Sequence, residues 1–137
     1  MNRKDFQQLA HKRVQESQAL FDAKLYEGAY HLAGIAIECA IKACIAKQTC
    51  RFEFPDKKRA NDSFDHDPTR LMRAAGLEIE LQRACQDSAF NTNWGVVQNW
   101  KVDSRYTLKV GRTQAEQILN GITSPNQGVM AWLQLHW

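Results

Sequence analysis

Apolar positions recur at helical spacing through most of the chain, and two long segments show the pattern best. In the first, from about residue 4 to 24, charged residues separate the apolar positions Phe6, Leu9, Ala10, Val14, Leu20 and Phe21. The second, from about residue 26 to 47, carries a broad apolar stripe rich in alanine and glycine. We therefore predict two long antiparallel helices that form the spine of a bundle.

Shorter helices are indicated by their start and stop signals. Residues 49–65 are charged and rich in turn formers, which predicts a loop. Asp67 followed by Pro68 is typical of a helix start, and Gly76 of a helix end, so residues 68–75 should form a short helix. A further helix is predicted for 78–90.

The last third of the sequence is less regular. Residues 91–111 have no clean period and include two tryptophans, Trp94 and Trp100. Helix formation is predicted to resume at Thr113, where Glu116 stands at capping-box spacing. Ser124 is predicted to cap a final helix that begins at Pro125.

These elements add up to an all-α fold with no strand-like alternation of useful length. We predict an up-and-down helical bundle with two long antiparallel helices and three or four shorter ones. At 137 residues the chain has the size of one domain, so residues 1–137 are assigned to a single domain.

Composition narrows the class of protein. Hydrophobic residues make up 44% and charged residues 24%, which is close to globular averages. The most apolar stretch, 29–46, is interrupted by His31, Glu38 and Lys42, so no membrane association is expected. The polar N-terminus lacks a signal-peptide pattern, which predicts a cytoplasmic protein. The net charge of +3 is mild, and the basic residues are spread along the chain.

The cysteines do not form a metal-binding pattern. Cys39, Cys44, Cys50 and Cys85 show neither paired CxxC hooks nor closely spaced Cys and His ligands. Cys39 and Cys44 would point about 140° apart on a helix, so a shared metal or disulfide is disfavoured. We expect buried or inert thiols, no metal and no cofactor.

Three stretches together resemble the HEPN family of helical domains. Residues 26–43, with a tyrosine-rich start and an Ala-Ile-Glu-Cys-Ala-Ile-Lys run at 36–42, resemble the family's second helix. Residues 66–71 followed by 74–77 are similar to the start of its third helix. Ser104-Arg105-Tyr106 resembles its Thr-Arg-Tyr-Pro element.

This resemblance implies a helical bundle that is commonly dimeric and occurs in toxin-antitoxin, defence and nucleotidyltransferase-linked systems. Some members cut RNA without metal, using an arginine and a histidine separated by four to six residues. In such a site the histidine moves a proton from the ribose 2′-hydroxyl and the arginine stabilises charge on the phosphate.

The sequence departs from the family at this motif. Positions 110–112, which lie at the required spacing after Arg105, are Val110, Gly111 and Arg112 rather than histidine. Arg59 and His66 do fit the spacing, but with nine arginines and four histidines about one such match is expected by chance. The candidate catalytic residues are therefore Arg105 and His66, with Arg59 as a further arginine.

Arg105 and Tyr106 admit two interpretations. As a ligand site, Arg105 binds a phosphate with its planar fork and Tyr106 stacks on a base or ring. As a structural pair, Arg105 forms an ion pair with a carboxylate such as Glu38, and Tyr106 packs on the bundle with its hydroxyl bonded.

Three hypotheses follow for function. The first is a HEPN-like binding module, a homodimer that contacts RNA, a nucleotide or a partner protein. The second is a metal-independent endoribonuclease with an atypical Arg/His site. The third is a purely structural partner of a nucleotidyltransferase.

Overall fold

The computed structural model describes residues 1–49 and 57–137, and every regular element within them is a helix. The first long helix, α1 (Arg3–Asp22), begins with a reciprocal cap. The Asn2 side chain accepts from the Asp5 backbone N–H at 3.0 Å, and the Asp5 carboxylate accepts from the Asn2 N–H at 2.9 Å. Two N–H groups that would lack helical partners are thereby satisfied.

The second long helix, α2 (Tyr26–Gln48), runs antiparallel to α1, as predicted. Residues 23–25 reverse the chain, and Lys24 adopts a left-handed φ of +63° there. Near this turn the buried Ser17 hydroxyl donates to the Ala29 carbonyl over 2.6 Å. At the other end Phe6 of α1 lines the same cleft as Ile45 of α2.

Helix α2 forms the centre of the bundle. Twelve of its 23 residues are buried, and most of these are small or β-branched. Among the described residues it is the one helix that is long and apolar enough to cross a membrane, and 67% of its most apolar window is buried inside the bundle. Burial of this kind is that of a core helix.

Two short helices follow α2. Helix α3 (Lys57–Asp62) forms inside the predicted loop 49–65, so the loop prediction is wrong for these residues. Its Lys-Lys-Arg-Ala start consists of good helix formers. Residues 50–56, including Cys50, lie outside the described residues. Helix α4 (Pro68–Ala74) confirms its predicted signals, because the Asp67 side chain accepts from the Arg70 N–H and Gly76 has a φ of +68°.

The predicted helix 78–90 is instead two helices, α5 (Glu78–Ala84) and α6 (Ser88–Gln98). The break arises because the Asp87 carboxylate accepts from the Ala89 N–H at 2.9 Å and thus caps a new helix. Helix α6 then continues through the first part of the segment predicted to be irregular. It buries Phe90, Trp94 and Val97 at helical spacing.

A short 3₁₀ turn (Val102–Tyr106) leads to α7 (Arg112–Thr123) and α8 (Val129–Gln134). The predicted capping box of Thr113 and Glu116 is wrong, because Gly111 occupies the cap position of α7 without a side-chain hydrogen bond. The predicted start at Ser124 and Pro125 is also wrong. The Ser124 hydroxyl donates back to a carbonyl of α7, and α8 begins after Gly128.

One principal core unites residues of both long helices with α4, α5, α6, α7 and α8. Trp94 and Trp100 are buried in it, and Trp132 and Trp137 pack against its edge. The all-α fold with a pair of long packed helices is therefore confirmed. In the described part of the chain six shorter α-helices surround that pair, more than the three or four predicted.

Candidate functional site

One face of α2 makes two polar side-chain contacts with distant parts of the chain. His31, Gly34 and Glu38 lie three and four residues apart, which places them on the same side of a helix. Each is contacted by another element: His31 by the 3₁₀ turn, Gly34 by Trp100, and Glu38 by the loop before α4. We refer to these three positions as the polar stripe.

The centre of the polar stripe is a glycine because an aromatic ring lies directly on it. A Cβ atom on Gly34 would stand 1.9 Å from Trp100 Cε2, which is far inside any real contact distance. Trp100 is fully buried, and its Nε1 is the one buried side-chain nitrogen or oxygen without a hydrogen-bond partner in the described residues. This contact fixes the end of α6 and the start of the 3₁₀ turn on α2.

At one end of the stripe His31 holds the 3₁₀ turn. Its Nδ1 lies 3.3 Å from the Ser104 hydroxyl oxygen, and its ring stacks on Trp100 with centroids 6.0 Å apart. Burial lowers the pKa of His31, the nearby positive charge of Arg105 lowers it further, and Glu38 opposes both. The neutral imidazole is therefore the favoured form at this position.

At the other end Glu38 is a buried carboxylate with two partners. Lys42 Nζ lies 2.8 Å from Glu38 Oε1, and His66 Nδ1 lies 3.0 Å from both carboxylate oxygens. Glu38 is only 8% exposed, whereas the His66 side chain is about half exposed. The expected ion pair between Arg105 and Glu38 is therefore wrong: within the residues described, the partners of Glu38 are Lys42 and His66.

A cleft of about 440 Å³ opens beside His66. Its two cations are already neutralised, because Arg70 pairs with Asp65 and Lys101 with Asp67, both at 3.1 Å. The pKa of Asp65 is lowered chiefly because its carboxylate accepts from the Asp67 backbone N–H. The lining of the cleft thus consists of these two ion pairs, the His66 imidazole, Val102 and Asp103.

Arg105 and Tyr106 present the opposite arrangement. Both are exposed, Tyr106 to 77%, and the Arg105 guanidinium carbon lies 4.8 Å from the centroid of the Tyr106 ring. No carboxylate in residues 1–49 or 57–137 forms an ion pair with Arg105. The structural interpretation of Tyr106 is also wrong, since its ring does not pack on the bundle and its hydroxyl has no partner in the same residues.

The structure does not bring the two predicted catalytic residues into contact. His66 is attached to the polar stripe at Glu38, and Arg105 follows Ser104, which is attached at His31. These two attachment points are seven residues apart, or about 10 Å along the helix axis. Arg59 lies exposed on α3, and no contact joins it to His66.

The sequence interpretation missed the stripe and a concentration of charge. The spacing of His31, Gly34 and Glu38 was a usable signal, but Gly34 resembled any other small core residue. The basic segment, which we define as residues 101–112, contains four basic residues against one acidic residue. Its formal charge of +3 equals that of the whole chain, so the rest of the protein is neutral by formal count.

The described residues contain no group of three or more His, Cys, Asp or Glu side chains able to hold a metal ion. Cys39 and Cys44 are buried free thiols, and burial raises the pKa of Cys44 to about 12. Cys85 is half-buried, and burial raises its pKa as well. In a protonated state these thiols are poor metal ligands and poor nucleophiles.

Comparison with family models, curated proteins and solved structures yields no match for this chain. The HEPN resemblance therefore stays a prediction.

Proposed function

We propose that this protein is a HEPN-like RNA-binding module whose basic segment contacts single-stranded RNA. The observation that carries the proposal is the exposed Arg105–Tyr106 pair, which has no carboxylate partner within residues 1–49 and 57–137 and stands on a turn anchored to α2. Exposed cationic and aromatic groups held side by side are what a phosphate and an unstacked base require.

The two side chains supply different parts of such a contact. Arg105 offers a planar guanidinium that can donate two parallel hydrogen bonds to a phosphate. The Tyr106 ring has the Arg105 guanidinium over one face, which leaves the other face for a base. Stacking of a base on an aromatic ring is worth about 1–3 kcal/mol and tolerates any base.

Two further cations extend the surface along the chain. Lys109 is exposed, and exposed Arg112 lies with its guanidinium carbon 5.9 Å from the Phe21 ring centroid. Val110, between them, packs against Ala29 of α2, so the basic segment follows the first half of α2. A strand of RNA that crosses this segment meets several positive charges in succession.

The test is the affinity of a labelled single-stranded oligoribonucleotide, measured by fluorescence anisotropy at several salt concentrations. Each phosphate contact contributes about 0.7 to the slope of log K against log salt for single strands. Arg105→Ala should lower the slope by about that amount, and Tyr106→Ala should weaken binding about ten-fold with little change in slope.

The matched control is Arg83→Ala, because Arg83 is an exposed arginine on α5, outside the basic segment. It should leave both affinity and slope nearly unchanged. Absence of wild-type binding, or binding that does not respond to salt, would overturn the proposal. The second outcome would favour the role of a structural partner, such as that of a nucleotidyltransferase.

The Glu38–His66 contact favours a second candidate, a metal-independent endoribonuclease. With Nδ1 against the carboxylate, Nε2 of His66 has no partner in the described residues, and His66 lines the cleft. A carboxylate that orients an imidazole in this way prepares it to accept a proton, here from a ribose 2′-hydroxyl. Arg105 would then hold a neighbouring phosphate rather than the one under attack.

Cleavage of end-labelled RNA in the presence of a chelator tests this second candidate. His66→Asn and Glu38→Gln should abolish cleavage that the wild-type protein performs, while His11→Asn on α1 serves as the matched control. If no cleavage occurs at high protein concentration while RNA still binds, the protein is a binding module without this activity.

A further inference from the structure

The 3₁₀ turn that carries Arg105 and Tyr106 is a weak element by itself. It spans only five residues, and 3₁₀ helices have poorer hydrogen-bond geometry than α-helices. Its backbone bonds, Ser104 N–H to Lys101 O and Thr107 N–H to Ser104 O, are local. Something outside the turn must therefore fix the direction of its two exposed side chains.

A polar side-chain contact joins this turn to α2. The Ser104 hydroxyl lies 3.3 Å from His31 Nδ1, and Ser104 directly precedes Arg105 in the chain. His31 is in turn held by its stacking on buried Trp100. The path from the core to the exposed pair thus runs from Trp100 through His31 and Ser104 to Arg105.

The electrostatics agree with this path. Arg105 and Glu38 are the two charged groups whose fields act on the half-buried His31 ring, with opposite signs. Arg105 lies within electrostatic reach of the imidazole, although the hydrogen bond goes to Ser104. His31 is partly buried next to the turn, whereas Arg105 and Tyr106 are exposed.

We propose that His31 is a positioning residue for RNA binding, which acts through the Ser104 hydroxyl to fix the Arg105–Tyr106 pair. This inference rests on the proposed RNA-binding function. His31 does not contact the RNA: it restricts the turn to the conformation in which the guanidinium and the ring can engage a phosphate and a base together.

The experiment uses variants that separate the two contacts of His31. His31→Phe keeps an aromatic ring on Trp100 and removes the hydrogen bond, and Ser104→Ala removes the partner hydroxyl. The double variant tests whether both act through one contact. The matched control is His11→Phe, because His11 also has a ring contact with a tryptophan, Trp137, at 5.3 Å.

Three results are expected in the RNA titrations. His31→Phe and Ser104→Ala should each weaken binding about five-fold, the scale of one net hydrogen bond. The double variant should be no weaker than the single variants. The salt slope should fall towards that of Arg105→Ala, which a partly unfolded but otherwise normal protein would not show, because loss of active protein does not change the slope.

Backbone hydrogen exchange tests the positioning without RNA. The amides of residues 102–107 should exchange faster in His31→Phe and Ser104→Ala, while those of α2 keep their wild-type rates. Unchanged exchange in residues 102–107 would overturn the inference, whether or not RNA binds. Normal RNA affinity and slope in both variants would overturn it as well.

The two proposals fail in different ways. If the wild-type protein does not bind RNA, the proposed function is wrong, and the exchange rates alone then decide whether His31 positions the turn. If the wild type binds RNA and the variants match it, the function stands and the positioning role of His31 is wrong.

Discussion

The two ends of the polar stripe differ in how they treat charge. At the Glu38 end a buried carboxylate contacts a lysine and a histidine, and two further ion pairs line the nearby cleft. At the His31 end Arg105 and Tyr106 are exposed, and in the part of the chain that the structure describes they have only each other as side-chain partners. The charged groups at the first end are thus paired and include a buried carboxylate, whereas those at the second end are exposed, and Trp100 on Gly34 separates the two ends.

The largest effect on stability is expected at the Glu38 end of the polar stripe. Glu38→Ala leaves Lys42 and His66 without their shared partner and should lower the free energy of unfolding by about 3 kcal/mol. Urea denaturation measures this loss. The matched control is Glu16→Ala, which removes a more exposed pair with Arg13 on α1 and should cost under about 1 kcal/mol. Equal losses in the two variants would contradict the distinction between buried and exposed pairs.

The boundary between the two ends should be nearly as sensitive. Gly34→Ala drives a methyl group into Trp100, so the indole must move, and we expect a loss of about 2 kcal/mol. Gly95→Ala on α6 is the control, because nothing lies within 4 Å of its Cβ position. It should stabilise the protein by about 0.5–1 kcal/mol. A neutral Gly34→Ala would mean that the indole is not fixed at this position.

Acidification should have a smaller effect, through His31. The pKa of His31 is lower in the folded protein than its ordinary value of 6.5, because burial and Arg105 disfavour the charged form. The unfolded chain therefore takes up the proton first as the pH falls. The stabilising contribution is complete above pH 6.5 and is lost as the pH drops below it.

Urea denaturation at pH 7.5 and 5.5 measures this dependence, and His31→Gln should reduce the difference between the two pH values. His136→Gln offers a comparison at another site, since burial also lowers the pKa of His136. If His31→Gln retains the full wild-type dependence, the ring does not titrate as described.

The smallest effect on stability is expected at the His31 end of the polar stripe, where Arg105 and Tyr106 are exposed. Arg105→Ala combined with Tyr106→Ala should change the free energy of unfolding by less than about 0.5 kcal/mol, because both side chains are exposed. Thermal and urea denaturation check this. A loss above about 1 kcal/mol would show that the pair supports the fold, and the two ends of the polar stripe would then not differ in this respect.

Local signals predicted the parts of the fold that depend on neighbours in sequence. The periodicity of α1 and α2 and the Asp67, Pro68 and Gly76 signals of α4 were sufficient. The break in the predicted helix 78–90 was missed because an aspartate such as Asp87 can lie inside a helix or cap one, and only the backbone conformation decides. Serine and threonine share this ambiguity, so the caps predicted at Thr113 for α7 and at Ser124 for the last helix were wrong.

The site was harder to predict because its contacts join distant residues. Glu38 and His66 are 28 residues apart, and His31 and Ser104 are 73 apart. Pairing Arg105 with Glu38 was chemically sensible, but Lys42 lies 2.8 Å from the Glu38 carboxylate and His66 also contacts it. The exposure of Tyr106 depends on the direction of a short turn, which no pattern in residues 102–106 specifies.

The central position of α2 also determines how the molecule loses its structure. It contacts α1, α4, the 3₁₀ turn, α7 and α8, so none of these can keep its packing if α2 melts. Unfolding of the bundle should therefore be a single cooperative transition, with coincident curves from circular dichroism and tryptophan fluorescence. The exposed helix α3 lies outside this unit, because none of its residues is buried, and it can open while the remainder stays folded.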